Sequence, residues 1–322
     1  MSEHPETRFD ATPIAEGYRA LRGAIDRVVV GQDEALRLVY LTLLCSGHSL
    51  LEGVPGVGKT LLVKSLGAAL GIRFGRVQFT PDLMPSDVIG TTVLDAQRGD
   101  ARFRPGPLFT DLLLADEINR ASAKTQAALL EAMQERAATV DGACHELGPH
   151  FSVFATQNPV EHEGTYPLPE AELDRFLFKI AMDYPPEEDE RKVLELHHSD
   201  ERSAESVPQV LRAEDLEAVR AAVRRVIVRD EIIDYVTRLM RATRADVNLS
   251  LGASPRAGLL LLRAAKAQAA LVGRDFVLPE DVQELFLPAL RHRVVVDPAA
   301  EVEGLTSDAA LETTLRAVAV PR

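Results

Sequence analysis

The stretch GVPGVGKT at residues 53–60 has the spacing that cradles a phosphate chain: a glycine, four free positions, Gly-Lys and a hydroxyl residue. Glycines allow a turn tight enough for successive N–H groups to face phosphate oxygens, and a helix beginning near Lys59 adds the partial positive charge of its N-terminus. Gly53, Gly56 and Gly58 are expected to make that turn, with Val54, Pro55, Val57 and Leu61 completing the loop around the ligand. Lys59 would reach the β- and γ-phosphates. Thr60 would give its hydroxyl to Mg²⁺, a hard cation that prefers oxygen and shares its ligands with phosphates. The implied ligand is ATP or another nucleoside triphosphate.

Asp116 and Glu117 end an apolar run, LLLA, which would set two carboxylates at the carboxyl edge of a sheet beside the phosphate loop. Asp116 is expected to hold Mg²⁺ with Thr60, and Glu117 to orient and polarise an attacking water. Cleaving a phosphoanhydride needs positioning and charge neutralisation more than covalent help, so such a set suffices for hydrolysis. Asn158 closes a second apolar strand, FATQ, where its amide could bond the γ-phosphate or the water. Arg175, in LDRF, stands before the last core strand and could project toward an adjoining subunit's nucleotide. Arg256, in GASPRA, begins a helix with Ser254 as N-cap and Pro255 at the first helical position, and could bring a second domain onto the nucleotide.

These residues need elements to carry them. Residues 48–53 read as a short buried strand and 60–71 as a helix closed by Gly71. Upstream, 15–26 read as an opening helix and 28–45 as an extended piece turning at Gly31 into a helix. Residues 80–90, with two prolines, read as a loop. Two hairpins follow, at 91–108 and at 138–147 with Asp141-Gly142 at its turn, separated by a strand at 112–121 and a helix at 122–136. Residues 150–159 and 173–185 supply further strands. Strands alternating with helices imply a mainly parallel sheet covered on both faces, an α/β core. Beyond it, 199–209 read as a polar linker, and helical patterns at 213–223, 230–245, 255–272 and 279–291 make a small all-helical domain.

The 322 residues carry a net charge of −13, so a broad attraction to nucleic acid or an anionic membrane is not expected, and protein partners are favoured. The second hairpin holds no Lys or Arg, and the first holds only Arg98, Arg102 and Arg104. No apolar run approaches the roughly 18–20 residues of a membrane span, and the polar start has no signal-peptide core, so the expected location is cytoplasmic. Cys45 and Cys144 share no metal or disulfide spacing; Cys45 is expected in the core.

GVPGVGKT, LLADEINRA, ATQNP, LDRF and GASPRA, in this order, resemble the MoxR family of AAA+ ATPases from about Val30 to the C-terminus. The resemblance implies Lys59 and Thr60 in Walker A, Asp116 and Glu117 in Walker B, Asn158 as sensor 1, Arg175 as arginine finger and Arg256 as sensor 2. Arg120 would join them at the subunit boundary. VVVGQ, with Gly31, is similar to the family's adenine-side segment. The implied layout is an N-terminal helical segment (1–27), an AAA+ P-loop core with inserted hairpins (28–185), a connecting helix and linker (186–209) and an all-helical lid (210–322). The implied activity is Mg²⁺-dependent ATP hydrolysis at subunit interfaces of a homo-oligomeric ring, commonly a hexamer. Such rings remodel or activate clients in a chaperone-like way, often with von Willebrand factor A partners. An ATP-gated assembly switch and a DNA-remodelling protein are the alternatives.

Overall fold

The computed structural model describes residues 9–95, 100–158, 165–199 and 203–321. Two compact units are found. One is formed by Gly23–Ala213, the other by the chain through Arg22 together with Glu214–Arg322. The opening segment therefore groups with the C-terminal helices, and the connecting stretch groups with the α/β unit.

In chain order the first unit receives the end of α1 (Thr12–Ile25), then α2 (Asp33–Leu44), β1 (Ser49–Glu52), α3 (Lys59–Leu70), β2 (Phe74–Gln78), α4 (Pro85–Ile89), β3 (Gly90–Asp95) and β4 (Asp100–Pro105). It continues with β5 (Leu112–Asp116), α5 (Ala123–Glu135), β6 (Ala137–Val140), β7 (Ala143–Glu146), β8 (Ser152–Gln157), α6 (Glu170–Leu173), β9 (Phe178–Ala181) and α7 (Glu187–Ser199). Five parallel strands lie in the order β2-β5-β8-β1-β9. β5 and β8 are buried along almost their whole length, which is why they read as unbroken apolar runs rather than alternating ones. Phe79, Phe151 and Phe176 fill the core behind them, and Cys45 is buried on α2's C-terminal turn.

The register sets where chemistry can occur. β1, β5 and β8 are neighbours running the same way, so Glu52, Asp116 and Gln157 end them at one edge of the sheet. The segments leaving those ends are the phosphate loop, Glu117 and Asn158.

Both expected hairpins form, as β3–β4 and β6–β7. Asp141 and Gly142 both have positive φ, +49° and +80°, as the two-residue turn with right-handed twist requires. Arg102 and Arg104 are exposed on β4, while Arg98 lies outside the described residues.

One expectation for this unit needs correction. Residues 80–90 are not simply a loop: Pro85 occupies the first turn of α4, where its missing N–H costs nothing, and the Asp87 carboxylate accepts from the Met84 amide at 2.9 Å. The polar stretch before α8 (Ala213–Arg224) is fastened down in its described part. Ala204 and Val207 are buried, Glu205 pairs with Lys64 of α3, and the Val210 and Leu211 amides donate to the Ala69 carbonyl. Polarity there marks exposure of some side chains, not freedom of the backbone.

The helical unit comprises most of α1 with α8, α9 (Asp230–Ala245), α10 (Pro255–Leu271), α11 (Pro279–Leu290), α12 (Pro298–Val302) and α13 (Ser307–Ala317). It is not wholly helical, because β10 (Leu249–Leu251) and β11 (Val295–Val296) pair antiparallel. At the start of α10, Ser254 Oγ accepts from the Ala257 amide at 3.2 Å with Pro255 beside it. No helix among the described residues is long and apolar enough to cross a membrane.

Candidate active site

The phosphate loop joins β1 to α3, with Gly56 at φ +88° and Gly58 at φ +90°, where a Cβ would meet no neighbouring atom but would strain the backbone. Gly53 is different. Its φ is not left-handed, and it is small because β9's continuation at Met182 runs against it. The expectation that all three glycines serve the turn is thus corrected for Gly53, whose requirement is close approach.

A cavity of about 410 Å³ is lined by Pro55, Gly56, Gly58, Lys59, Thr60 and Leu61 of the loop and by Asp116, Glu117 and Asn158 from the strand ends. Thr156 and Arg76 complete it. The ammonium of Lys59 donates to the Gly53 carbonyl. Burial lowers its pKa, while the carboxylates of Asp116, Glu117 and Glu52 act in the opposite sense and favour the charged form.

Thr156 ties the two acids together. Its hydroxyl donates to Asp116 Oδ1 at 2.6 Å and accepts from the Glu117 amide at 2.8 Å. Glu117 itself has φ +55°, a left-handed position that a non-glycine residue keeps only when its surroundings hold it. Its Oε2 accepts from Gln78 Nε2 at 2.7 Å and from Arg120 Nη1 at 2.9 Å. On the other side, Arg76 donates to Asp116 Oδ2 through Nη2 at 2.6 Å and Nε at 3.1 Å, and to Gln78 Oε1 at 3.0 Å.

Arg76, Gln78 and Thr156 went unnoticed in the sequence because their importance is a matter of register. Gln78 pairs with Asp116 across β2 and β5, which is visible only once strand order is known.

Mg²⁺ fits the donors present. Thr60 and Asp116 bring oxygen into one cavity with the open cradle at Gly56 and Gly58. Among the described residues no group of three His, Cys, Asp or Glu side chains converges, and a cation that draws its remaining ligands from phosphates and water needs none.

The remaining candidates stand elsewhere. Arg175 does not line the cavity and is not a free projecting side chain. Nη1 donates to the Leu130 carbonyl of α5 at 2.7 Å and Nε lies 3.1 Å from Glu172 Oε2, because α6 turns the guanidinium back onto α5. Gly31 (φ +74°) lines a second cavity of about 440 Å³ with the apolar Val29, Val30 and Leu196 and the charged Asp26, Asp33, Asp189, Lys192 and Glu195. Arg256 is exposed on the first turn of α10, in the helical unit.

Comparison with known proteins agrees with this layout. Residues 48–178 match the ATPase family associated with various cellular activities (AAA), and residues 241–314 match the AAA lid domain. A Bacillus subtilis protein, YeaC, is 46% identical over 92% of this chain and 92% of its own length. The chaperone MoxR1 of Mycobacterium tuberculosis is 42% identical over 92% of this chain and 81% of its own. The crystal structure of a candidate ATPase from Cytophaga hutchinsonii superposes with a TM-score of 0.90 at 38% identity, covering 97% of each chain.

Proposed function

This chain belongs to the MoxR family of AAA+ ATPases, and we propose that it hydrolyses ATP with Mg²⁺ at sites completed by a neighbouring copy, in a homo-oligomeric ring that remodels or activates a client protein. The observation that carries this reading is the meeting of Lys59, Thr60, Asp116, Glu117 and Asn158 around one cavity at the end of a parallel sheet.

Lys59 and the loop amides bind the phosphates, Thr60 and Asp116 hold Mg²⁺, Asn158 bonds the γ-phosphate or the water, and Glu117 orients the water. Bound Mg²⁺ neutralises charge on the phosphate oxygens. Gly31 and the apolar side chains around it take the adenine side. Arg175 exchanges its hold on the Leu130 carbonyl for a neighbour's γ-phosphate, and Arg256 brings the lid to the nucleotide. The ring is a hexamer working in the cytoplasm, with a von Willebrand factor A protein as partner.

ATP turnover per chain measured against protein concentration tests the shared site. Specific activity should climb with concentration. Arg175→Ala should bind ATP yet lose roughly 10³-fold or more in turnover, and Glu117→Gln about 10²- to 10⁴-fold. Turnover that is flat with concentration and indifferent to Arg175 refutes it.

One observation favours a second reading, an ATP-gated assembly switch with slow hydrolysis. Glu117 Oε2 is already engaged by Gln78 and Arg120, so that oxygen has to be released before it can serve a water. Under that reading Glu117→Gln retains function in the ATP-bound state, whereas a motor loses it.

A further inference from the structure

Resting on the reading of the cavity as an Mg²⁺·ATP site, we propose that Arg76 is the resident counter-ion of Asp116, which metal-bound nucleotide must displace, so that Arg76 sets the Mg²⁺ concentration at which nucleotide is held. Two of its N–H groups already lie on Asp116 Oδ2, and the Thr156 hydroxyl lies on Oδ1. A carboxylate has about four acceptor positions, so three are taken before a metal arrives. A dication coming to this carboxylate, directly or through a water, also meets a guanidinium that cannot shed its charge.

Arg76 is exposed enough to make this exchange. The Arg76 side chain is 49% exposed while that of Asp116 is 13% exposed, so the arginine can swing away from a carboxylate that stays fixed. β2 is an edge strand, and Arg76 needs no repacking of the core to move. Because Arg76 lines the same cavity as the phosphate loop, the displaced guanidinium meets phosphate oxygens, which its planar fork suits. The swing also breaks its bond to Gln78 Oε1, and Gln78 is one of the two residues, with Arg120, that hold Glu117 Oε2. Arrival of the metal is thereby linked to the setting of the hydrolytic carboxylate. Arg76 acts through Asp116 and is a positioning residue.

The test is binding of a fluorescent ATP analogue to the full chain as Mg²⁺ is varied. Arg76→Met should lower the Mg²⁺ needed for half-maximal binding by about threefold or more, the scale of losing one charge-assisted pair. Binding in EDTA should weaken in the same variant, since Asp116 is left without its counter-ion in the cavity that receives the phosphates. Arg120→Met removes a cation that bonds Glu117 instead, and should leave the Mg²⁺ midpoint in place. With Asp116→Asn present, adding Arg76→Met should no longer shift it. An unmoved midpoint in Arg76→Met, an equal shift in Arg120→Met, or a shift that survives Asp116→Asn each overturns the proposal. Failure of the unmodified chain to bind the analogue at any Mg²⁺ concentration would instead remove the nucleotide reading, and this inference with it.

Discussion

A Cβ placed on Gly53 would lie 2.2 Å from the Met182 carbonyl oxygen, far inside any contact real side chains make. The obstacle is main chain, which cannot rotate aside. Gly53→Ala must therefore push apart the start of the phosphate loop and the end of β9, at a cost near the top of the ~1–3 kcal/mol range of overpacking. Gly56→Ala has open space and is limited to left-handed backbone strain of about 1–2 kcal/mol. Urea unfolding of the nucleotide-free protein should rank Gly53→Ala as the more damaging. Equal losses would mean that the strand end yields.

Thr156→Val removes one hydroxyl and keeps the shape. It leaves the Glu117 amide without its acceptor and Asp116 Oδ1 without its donor, in a position where Thr156 is only 1% exposed. The expected loss is about 1–3 kcal/mol of stability, with a drop in turnover larger than the change in ATP affinity, because Glu117 loses what fixes its main chain. Thr156→Ser should restore most of both. Turnover of the valine variant at the level of the unmodified protein would contradict this.

His48 gives the unit a defined acid sensitivity. It is buried, its Nδ1 accepts from the Val153 amide at 2.9 Å and its Nε2 donates to the Met133 carbonyl at 3.2 Å. Burial, reinforced by the positive charge of Arg136, pushes its pKa down from 6.5 to about 3. The folded form therefore binds fewer protons than the unfolded chain between these values. Its contribution is whole above about pH 6.5 and falls as pH drops toward 3, by about 1.4 kcal/mol per pH unit. Unfolding free energies at pH 8, 6 and 5 should show the stability gap between the unmodified protein and His48→Gln narrowing with acid. A constant gap would mean that His48 takes up its proton as readily folded as unfolded.

What could be read from the chain depended on the range of the interaction concerned. The phosphate loop, the Asp116-Glu117 pair, Asn158 and both hairpins carry local signals: glycine spacing, unbroken apolar runs and an Asp-Gly turn. Ser254 and Pro255 announced the start of α10 for the same reason. Residues whose role lies across strands gave no such sign. Arg76 and Thr156 flank Asp116 from β2 and β8, some 40 positions away in either direction, so only the strand order 2-5-8 assembles them. Prolines misled at α4, where Pro85 starts a helix rather than preventing one. Arg175 illustrates the converse, a residue recognised by type whose bond to the Leu130 carbonyl no sequence pattern announces.

The Phe103 and His145 rings stack at 3.8 Å and 17°, joining β4 of one hairpin to β7 of the other, and Phe109 closes edge-on against both. Each hairpin is internally secured by a full ladder of backbone bonds, whereas the joint between them rests on ring contacts worth roughly 1 kcal/mol each. The rings therefore tie the two hairpins to each other more loosely than each hairpin's ladder ties its own strands.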